Sequence, residues 1–183
     1  MIKKIALIIA GLLGAFAVVV AMQPDTYKVS RSISIAAPAE TIFPLVNNYH
    51  RWDAWSPWAK LDPNMTVSFS GPEAGGVGAS YSWKGNSDVG AGKMTTLEAN
   101  PGRELKIQLE FTEPFADTSN TIFTFTPSAD SKSTTVTWDM AGNANFISKA
   151  MCLFVSMDSM IGPDFEKGLA SLKALAESKQ GNL

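Results

Sequence analysis

The sequence predicts an α+β fold in which seven antiparallel strands are closed by one long helix. Apolar and polar residues alternate in seven short segments, and a period of two is typical of half-buried strands. Near the C-terminus, apolar residues instead recur every three or four positions, which indicates a helix with one apolar face. A charge-free apolar run at the N-terminus predicts a separate membrane segment.

The first and fifth predicted strands show the alternation most clearly. Their apolar side chains share one face: Tyr27, Val29, Ile33 and Ile35 in the first strand, and Leu105, Ile107, Leu109 and Phe111 in the fifth. Five further segments complete the sheet: residues 65–69, 81–83, 94–99, 121–126 and 136–140. Turns that contain glycine or proline, such as residues 70–72 and 100–102, separate neighbouring strands.

Two short helical segments are predicted between the first and second strands. Residues 37–43 begin a helix with Pro38 at an early position, and residues 47–58 favour a second helical turn or a loop. The long C-terminal helix rests on an apolar stripe: Phe146, Ala150, Leu153, Met157, Ile161, Phe165, Leu169, Leu172 and Ala176. A kink or break is expected just before Pro163, because proline lacks an N–H and clashes with the preceding turn.

Residues 1–22 predict a transmembrane anchor. Lys3 and Lys4 precede the apolar run of residues 5–22, which as a helix extends about 27 Å, close to the hydrocarbon core of a bilayer. The lysines favour a cytoplasmic N-terminus, so the domain is expected in the periplasm of a single-pass inner-membrane protein. A cleaved signal is the alternative, because residues 15–17 (AFA) fit a cleavage site, and the protein would then be secreted. A buried core helix is disfavoured, because the run has no polar face.

The rest of the chain is predicted to be a linker, residues 23–26, and one domain, residues 27–183. A net charge of −2, with no basic cluster beyond the dilysine, argues against nucleic-acid binding. Because Cys152 is the only cysteine and His50 the only histidine, neither an intrachain disulfide nor a typical metal site is expected. No cofactor is expected either.

Four stretches resemble one known superfamily. They are residues 29–43 (VSRSISIAAPAETIF), 52–58 (WDAWSPW), 75–78 (GGVG, followed by Trp83) and 168–173 (GLASLK). With the predicted element order, they make the chain similar to the START-like or Bet v 1-like superfamily, and within it to the bacterial polyketide cyclase/dehydrase (SRPBCC) group. The resemblance covers residues 27–178 and leaves the membrane segment outside.

The resemblance implies a helix-grip fold, in which a strongly curved sheet wraps around the C-terminal helix and leaves a cavity for hydrophobic ligands. Flexible, polarizable methionines near the C-terminal helix suit an adaptable apolar pocket, although methionine also fills ordinary cores. Strand parity and helix spacing select the expected lining residues: Trp55, Phe69, Tyr81, Trp83, Leu109, Phe111, Phe123, Trp138, Met140, Leu153, Met157 and Ile161.

Acid–base chemistry would require His50 or a carboxylate. The candidate carboxylates are Glu98, Glu110, Glu113, Asp117 and Asp139. Alternation places Glu110 on the polar face of its strand. Asp139 points outward if Trp138 and Met140 face the cavity, and with the opposite parity it becomes the best candidate for a buried acid.

Three other features have a structural and a functional interpretation. Trp52, Trp55 and Trp58 suit a cavity wall, a membrane-interface belt or packing of a short helix on the sheet. Residues 75–78 lack the lysine and the following helix of a phosphate-binding loop, which favours a hairpin or a loop at the cavity mouth. Cys152 is expected to be a half-buried, inert thiol.

These observations lead to three functional hypotheses. The first is a membrane-anchored, extracytoplasmic domain that binds a lipid or another small hydrophobic molecule without chemical turnover. The second is an enzyme of the cyclase or dehydratase type, which would need a buried polar pair in the cavity. The third is a structural or partner-binding domain with a filled interior, which a cavity below about 300 Å³ would favour.

Overall fold

The computed structural model describes residues 2–180, and its element order agrees with the predicted α+β fold. Four α-helices are present in this range: α1 (Ile2–Ala21), α2 (Ala39–Asn47), α3 (Phe146–Cys152) and α4 (Met157–Gln180), with a short 3-10 helix (Tyr49–Ala54) after α2. The strands are β1 (Thr26–Ile35), β2 (Thr66–Ser70), β3 (Ser80–Lys84), β4 (Ala91–Asn100), β5 (Glu104–Glu113), β6 (Asp117–Pro127) and β7 (Thr134–Asn143).

All seven strands form one antiparallel sheet in the order β1-β7-β6-β5-β4-β3-β2. Strands β2 to β7 follow one another as hairpins, whereas β1 pairs with β7 at one edge. The chain therefore crosses from one edge of the sheet to the other between β1 and β2, and α2 and the 3-10 helix lie in this connection. The predicted seven-strand sheet is confirmed.

The inner face of the sheet carries the residues that alternation selected. Along β7, Val136, Trp138 and Met140 are buried, and in β5 Leu105 and Ile107 are fully buried. The inner face packs on α4 and α2, and the buried core contains: Val29, Ile35, Ile42, Leu45, Val46, Phe123, Phe125, Phe165, Leu169, Leu172 and Ala176. Burial of this apolar face is what holds the helices on the sheet.

Helix α4 runs along β1 and is fastened to it by polar contacts. Arg31, on the inner face of β1, binds the carboxylates of Asp158 and Glu166 at 2.7 Å each. A Cβ on Gly162 would lie 2.0 Å from the Arg31 guanidinium, so only glycine at this position leaves room for the Arg31 side chain. Further along, Lys173 donates to the backbone carbonyl of Ser34 at 2.9 Å.

The C-terminal helix is interrupted earlier in the chain than predicted. Pro163 lies inside α4, and the break falls at residues 153–156, between α3 and α4. Ser156 explains this position, because its hydroxyl accepts a hydrogen bond from the N–H of Ser159 at 3.1 Å and so caps the first turn of α4. The predicted break at Pro163 is therefore wrong.

Helix α1 lies outside the core of the sheet. It is long and apolar enough to cross a membrane, and only 6% of its most apolar stretch is buried against the rest of the protein. Length and composition alone do not separate an anchor from a signal sequence. Helix α1 packs against α3, and just after it the Asp25 carboxylate forms an ion pair with Lys149 of α3.

Packing of α4 on the sheet predicts a large stability difference between two leucine truncations. Leu172 is fully buried, so Leu172→Ala should lower the free energy of unfolding by about 2–5 kcal/mol through lost burial and the cavity left behind. Leu61 is 48% exposed, so Leu61→Ala should change it by about 0.5 kcal/mol or less. Denaturant unfolding of the full chain, followed by tryptophan fluorescence, measures both, and equal losses would contradict this account of the core.

Candidate functional site

An apolar cavity of about 500 Å³ lies between the inner face of the sheet and the first turns of α4. Aromatic and methionine side chains supply most of its wall. The inner face contributes Tyr27, Met65, Val67, Phe69, Tyr81, Trp83, Met94, Leu109, Phe111, Trp138 and Met140, and α4 contributes Met157, Met160, Ile161 and Phe165. The 3-10 helix and the turns that follow it, residues 49–58, which we call the 3-10 region, contribute Tyr49, Trp52 and Trp58. A cavity of this size and lining suits a small apolar molecule.

Most of the predicted lining residues reach this cavity. Phe69, Tyr81, Trp83, Leu109, Phe111, Trp138, Met140, Met157 and Ile161 line it. Trp55, Phe123 and Leu153 do not, which corrects their prediction. Trp55 and Phe123 are covered by neighbouring rings in the solid part of the core. Leu153 lies in the break between α3 and α4, where the helical spacing that selected it is lost.

The three tryptophans after α2 have different roles. The indole N–H groups of Trp52 and Trp55 donate to the carbonyls of Val46 and Leu45 at 2.7 and 3.0 Å, which fixes the 3-10 region on α2. Trp58 meets the ring of Trp138 edge to face, with centroids 5.9 Å apart. Packing on the sheet is therefore the main role of this cluster, and Trp52 and Trp58 also contribute to the cavity wall.

Two tyrosines bring paired hydroxyl groups to the wall. The buried hydroxyl of Tyr49 lies 2.9 Å from that of Thr96, and burial raises the pKa of Tyr49. Tyr27 donates to the Asp117 carboxylate at 3.1 Å, and burial together with that charge raises the pKa of Tyr27 to about 12. Both phenols remain protonated at neutral pH, so they cannot serve as bases. The single proton of Tyr27 is donated to Asp117, which leaves that hydroxyl as an acceptor, whereas Tyr49 can donate to a ligand when Thr96 donates to Tyr49.

The candidate acid–base residues do not form a buried pair among the described residues. Trp138 and Met140 face inward, so Asp139 lies on the outer face, 3.0 Å from the Lys28 ammonium. This settles the parity and removes Asp139 as a buried acid. Glu110 lies opposite Lys93 on the outer face, and His50 is exposed and stacks on Phe69 with ring centroids 3.9 Å apart.

Glu98 and Glu113 are exposed and paired with lysines. Glu98 binds Lys106 at 3.1 Å, and Glu113 binds Lys84 at 2.9 Å. Within the described residues no cluster of histidine, cysteine and carboxylate side chains could hold a metal ion. Cys152 is partly exposed at the end of α3.

Carboxylates dominate the charged groups of the cavity wall. The sequence pattern did not predict this excess of negative charge. Asp53, Asp88, Glu113 and Asp117 contribute to it, and the described lining contains neither lysine nor arginine. Asp53 lies in the 3-10 helix and Asp88 in the β3–β4 loop, whereas Glu113 ends β5 and Asp117 begins β6. These three regions are far apart in the chain. Only the fold brings them together.

The glycine-rich loop connects β2 to β3 and borders a smaller pocket of about 260 Å³. Gly75 has a φ of +88°, and a Cβ there would lie 2.2 Å from the carbonyl oxygen of Asn47. Glycine is therefore needed for close packing of the loop against the end of α2. Tyr49, His50 and Phe69 line both pockets, so the loop lies beside the larger cavity.

Comparison with known proteins agrees with this architecture. The family model for polyketide cyclase/dehydrase and lipid transport proteins matches residues 26–177. None of the curated proteins matches the sequence.

Three solved structures illustrate the shared fold. Norcoclaurine synthase from Thalictrum flavum, in complex with dopamine and hydroxybenzaldehyde, is 12% identical with a TM-score of 0.61, over 86% of this chain and 90% of that chain. The Zhui aromatase/cyclase from a Streptomyces species is 12% identical with a TM-score of 0.60, over 83% and 94%. The Aha1 dimer from Colwellia psychrerythraea is 17% identical with a TM-score of 0.58, over 82% and 96%. These likenesses establish the fold alone.

The tyrosines of the site predict an alkaline limit to stability. Burial raises the pKa of Tyr27, Tyr49 and Tyr81, which are the only tyrosines in the chain. Their contribution to stability is complete below the unfolded pKa near 10 and is lost as the pH rises toward the folded values. We expect tyrosinate absorbance of the folded protein to appear only above pH 10, and the free energy of unfolding to fall there. A tyrosine that titrates at or below pH 10 in the folded chain would contradict this.

Proposed function

The chain belongs to the polyketide cyclase/dehydrase and lipid transport family, and from this membership and its cavity we propose that it binds a small apolar molecule or lipid. In this proposal the ligand lies between the sheet and α4 and is held without chemical turnover. The observation that carries the proposal is the cavity of about 500 Å³ with aromatic and methionine walls. This volume lies within the range of roughly 300–1,000 Å³ that ligand pockets occupy, which disfavours a domain filled by its own side chains.

The polar groups of the wall favour binding over catalysis. The phenols of Tyr27 and Tyr49 are already paired with protein groups, and His50 is exposed at the edge of the cavity. A proton-transfer mechanism needs a base aimed at the substrate, with a pKa near the working pH. Neither phenol can act as that base, and His50 lies at the exposed edge of the cavity, stacked on Phe69.

Membrane attachment is the second part of the proposal. In it, α1 anchors the chain, and the lysines at positions 3 and 4 hold the N-terminus in the cytoplasm. The cavity domain then lies on the extracytoplasmic side, close to the bilayer, because only residues 22–25 separate α1 from β1. This placement suits a carrier of a hydrophobic molecule.

A cyclase or dehydratase remains a second candidate, since the family description includes those activities. The supporting observation is that Tyr27, hydrogen-bonded to Asp117, and Tyr49, hydrogen-bonded to Thr96, bring polar pairs to the wall of a cavity large enough to fold a substrate. Mass and chromatographic analysis of a bound polyketide-like compound before and after incubation separates the two functions. An unchanged mass with unchanged retention supports a carrier. A product of equal mass but different retention is a cyclised isomer and supports a cyclase, and loss of water supports a dehydrating enzyme.

Filling the cavity should abolish ligand binding. We expect Leu109→Trp to reduce affinity for a neutral probe such as dodecanol at least ten-fold, because Leu109 lines the cavity and the larger ring would occupy its space. Gln108→Trp is the matched control, because the neighbouring side chain lies on the other face of β5. Native mass spectrometry of the full chain in detergent measures bound probe. No binding to the unaltered chain, or equal binding by both variants, would reject the cavity as the site.

The acidic residues of the wall predict a preference among ligands of one length. In competition at low ionic strength, dodecylammonium and dodecanol should be bound in preference to dodecanoate, by on the order of ten-fold, because the carboxylates of the wall repel the carboxylate of that ligand. The double variant Asp53→Asn, Asp88→Asn should reduce this preference, whereas Glu110→Gln on the outer face should not. Native mass spectrometry distinguishes the three ligands by mass, and a preference for dodecanoate would contradict the electrostatic argument.

A further inference from the structure

Helix α3 and the residues after it present an apolar surface that the protein does not cover. Five side chains, which we call the α3 face, are each at least 45% exposed, and Phe154 is 80% exposed. The α3 face consists of Phe146, Ile147, Met151, Phe154 and Val155. Exposed large apolar groups clustered on a short amphipathic helix are typical of an interaction surface.

The attachment of α3 fixes its position relative to the end of α1. Lys149 forms an ion pair with Asp25, and the backbone N–H of Ala144 donates to the carbonyl of Asp25 at 2.8 Å. Asp25 is four residues beyond Ala21, the last residue of α1, so it lies at most about 14 Å from that helix end. Helix α3 also packs directly on α1. The α3 face is therefore held beside the C-terminal end of the apolar helix.

Much of the cavity lining lies toward this same end of the sheet. Neighbouring strands of the antiparallel sheet run in opposite directions, so one end of the sheet holds the first residues of β1, β6 and β4 and the last residues of β7 and β5. Asp88, Glu113 and Asp117 lie at this end of the sheet. The start of α4, with Met157, lies there too, because Asp158 contacts Arg31 while Lys173 contacts Ser34 further along β1. These cavity residues therefore lie at the end of the sheet where β1 begins, directly after α1.

Two apolar residues of the cavity lining are themselves exposed. Phe115 and Met160 both line the cavity, and they are 54% and 42% exposed. Met160 is on the first turns of α4, directly after the α3 face, and Phe115 is in the β5–β6 connection. Exposed apolar side chains therefore occur both on the α3 face, beside α1, and among the residues that line the cavity.

We propose that the α3 face docks on the surface of the bilayer and places the cavity mouth against it, so that ligand enters from the lipid phase rather than from water. The inference rests on the proposed anchoring by α1, which puts the end of that helix at the membrane surface. A lipid bilayer suits this face better than a protein partner, because the face is attached to the apolar helix and continues from it. The acidic mouth favours zwitterionic over anionic lipid.

Nitroxide labels on the full chain test the docking. In a Cys152→Ser background, one label is placed at Phe154→Cys and a control label at Lys132→Cys, in the exposed turn between β6 and β7 at the opposite end of β7. In phosphatidylcholine nanodiscs, the label at position 154 should be shielded from a water-soluble nickel chelate and accessible to oxygen, whereas the control should be relaxed by nickel.

The outcomes separate docking from anchoring. If the chain stays in nanodiscs but the label at position 154 is as accessible to nickel as the control, the docking surface is wrong and anchoring stands. If the label is shielded from both relaxation agents, protein covers the α3 face and the proposal is overturned. A chain that does not remain with nanodiscs contradicts the anchoring on which the inference rests.

Ligand uptake provides a second test. Phe154→Asp should slow uptake of dodecanol from phosphatidylcholine vesicles at least ten-fold, while binding of dodecanol delivered from cyclodextrin stays unchanged. Leu97→Asp is the matched control, since Leu97 is an exposed apolar residue of β4 outside the α3 face. It should change neither the uptake of dodecanol from vesicles nor the binding of dodecanol delivered from cyclodextrin. Equal uptake from vesicles by the two variants would overturn entry from the lipid phase.

Discussion

The packing of α4 on the inner face of the sheet is the interaction on which the rest of the structure depends. Phe165 stacks on Trp138 with ring centroids 4.0 Å apart and planes within 9°. Arg31 adds a polar clamp between β1 and α4, because its guanidinium is shared by Asp158 and Glu166. Together these contacts fix both the distance and the direction of α4, and hence the space left between helix and sheet.

That space divides the inner face into two parts. Beyond the Phe165–Trp138 stack, Leu172 of α4 and Val136 of β7 are fully buried in a solid core that α2 helps to cover. On the other side, toward the start of α4, methionines and aromatic rings leave a cavity instead. The solid core and the cavity therefore occupy different halves of one sheet. Trp138 and Met140 belong to both, because they are part of the buried core and also line the cavity.

The half of the sheet that lines the cavity is also the half attached to α1. Strand β1 begins a few residues after that helix, and the Asp25–Lys149 ion pair fastens α3 to the same point. The apolar helix α1, the α3 face and the cavity thus follow one another over a short distance. In the proposed membrane-anchored carrier, this arrangement would shorten the path of a hydrophobic ligand through water, since transfer of apolar surface into water is the unfavourable step.

Local patterns in the sequence determined the seven strands, their inward faces, the apolar N-terminal helix and most of the cavity wall, because side-chain direction along a strand alternates irrespective of its neighbours. The place of the helix break depended on the Ser156 cap, a weak signal beside Pro163. Only the tertiary structure decided that Trp55 and Phe123 are covered while Trp83 lines the cavity, and that Asp53 joins Asp117 at the mouth. Covering and charge clustering depend on distances between elements remote in the chain, and packing of α4 sets those distances.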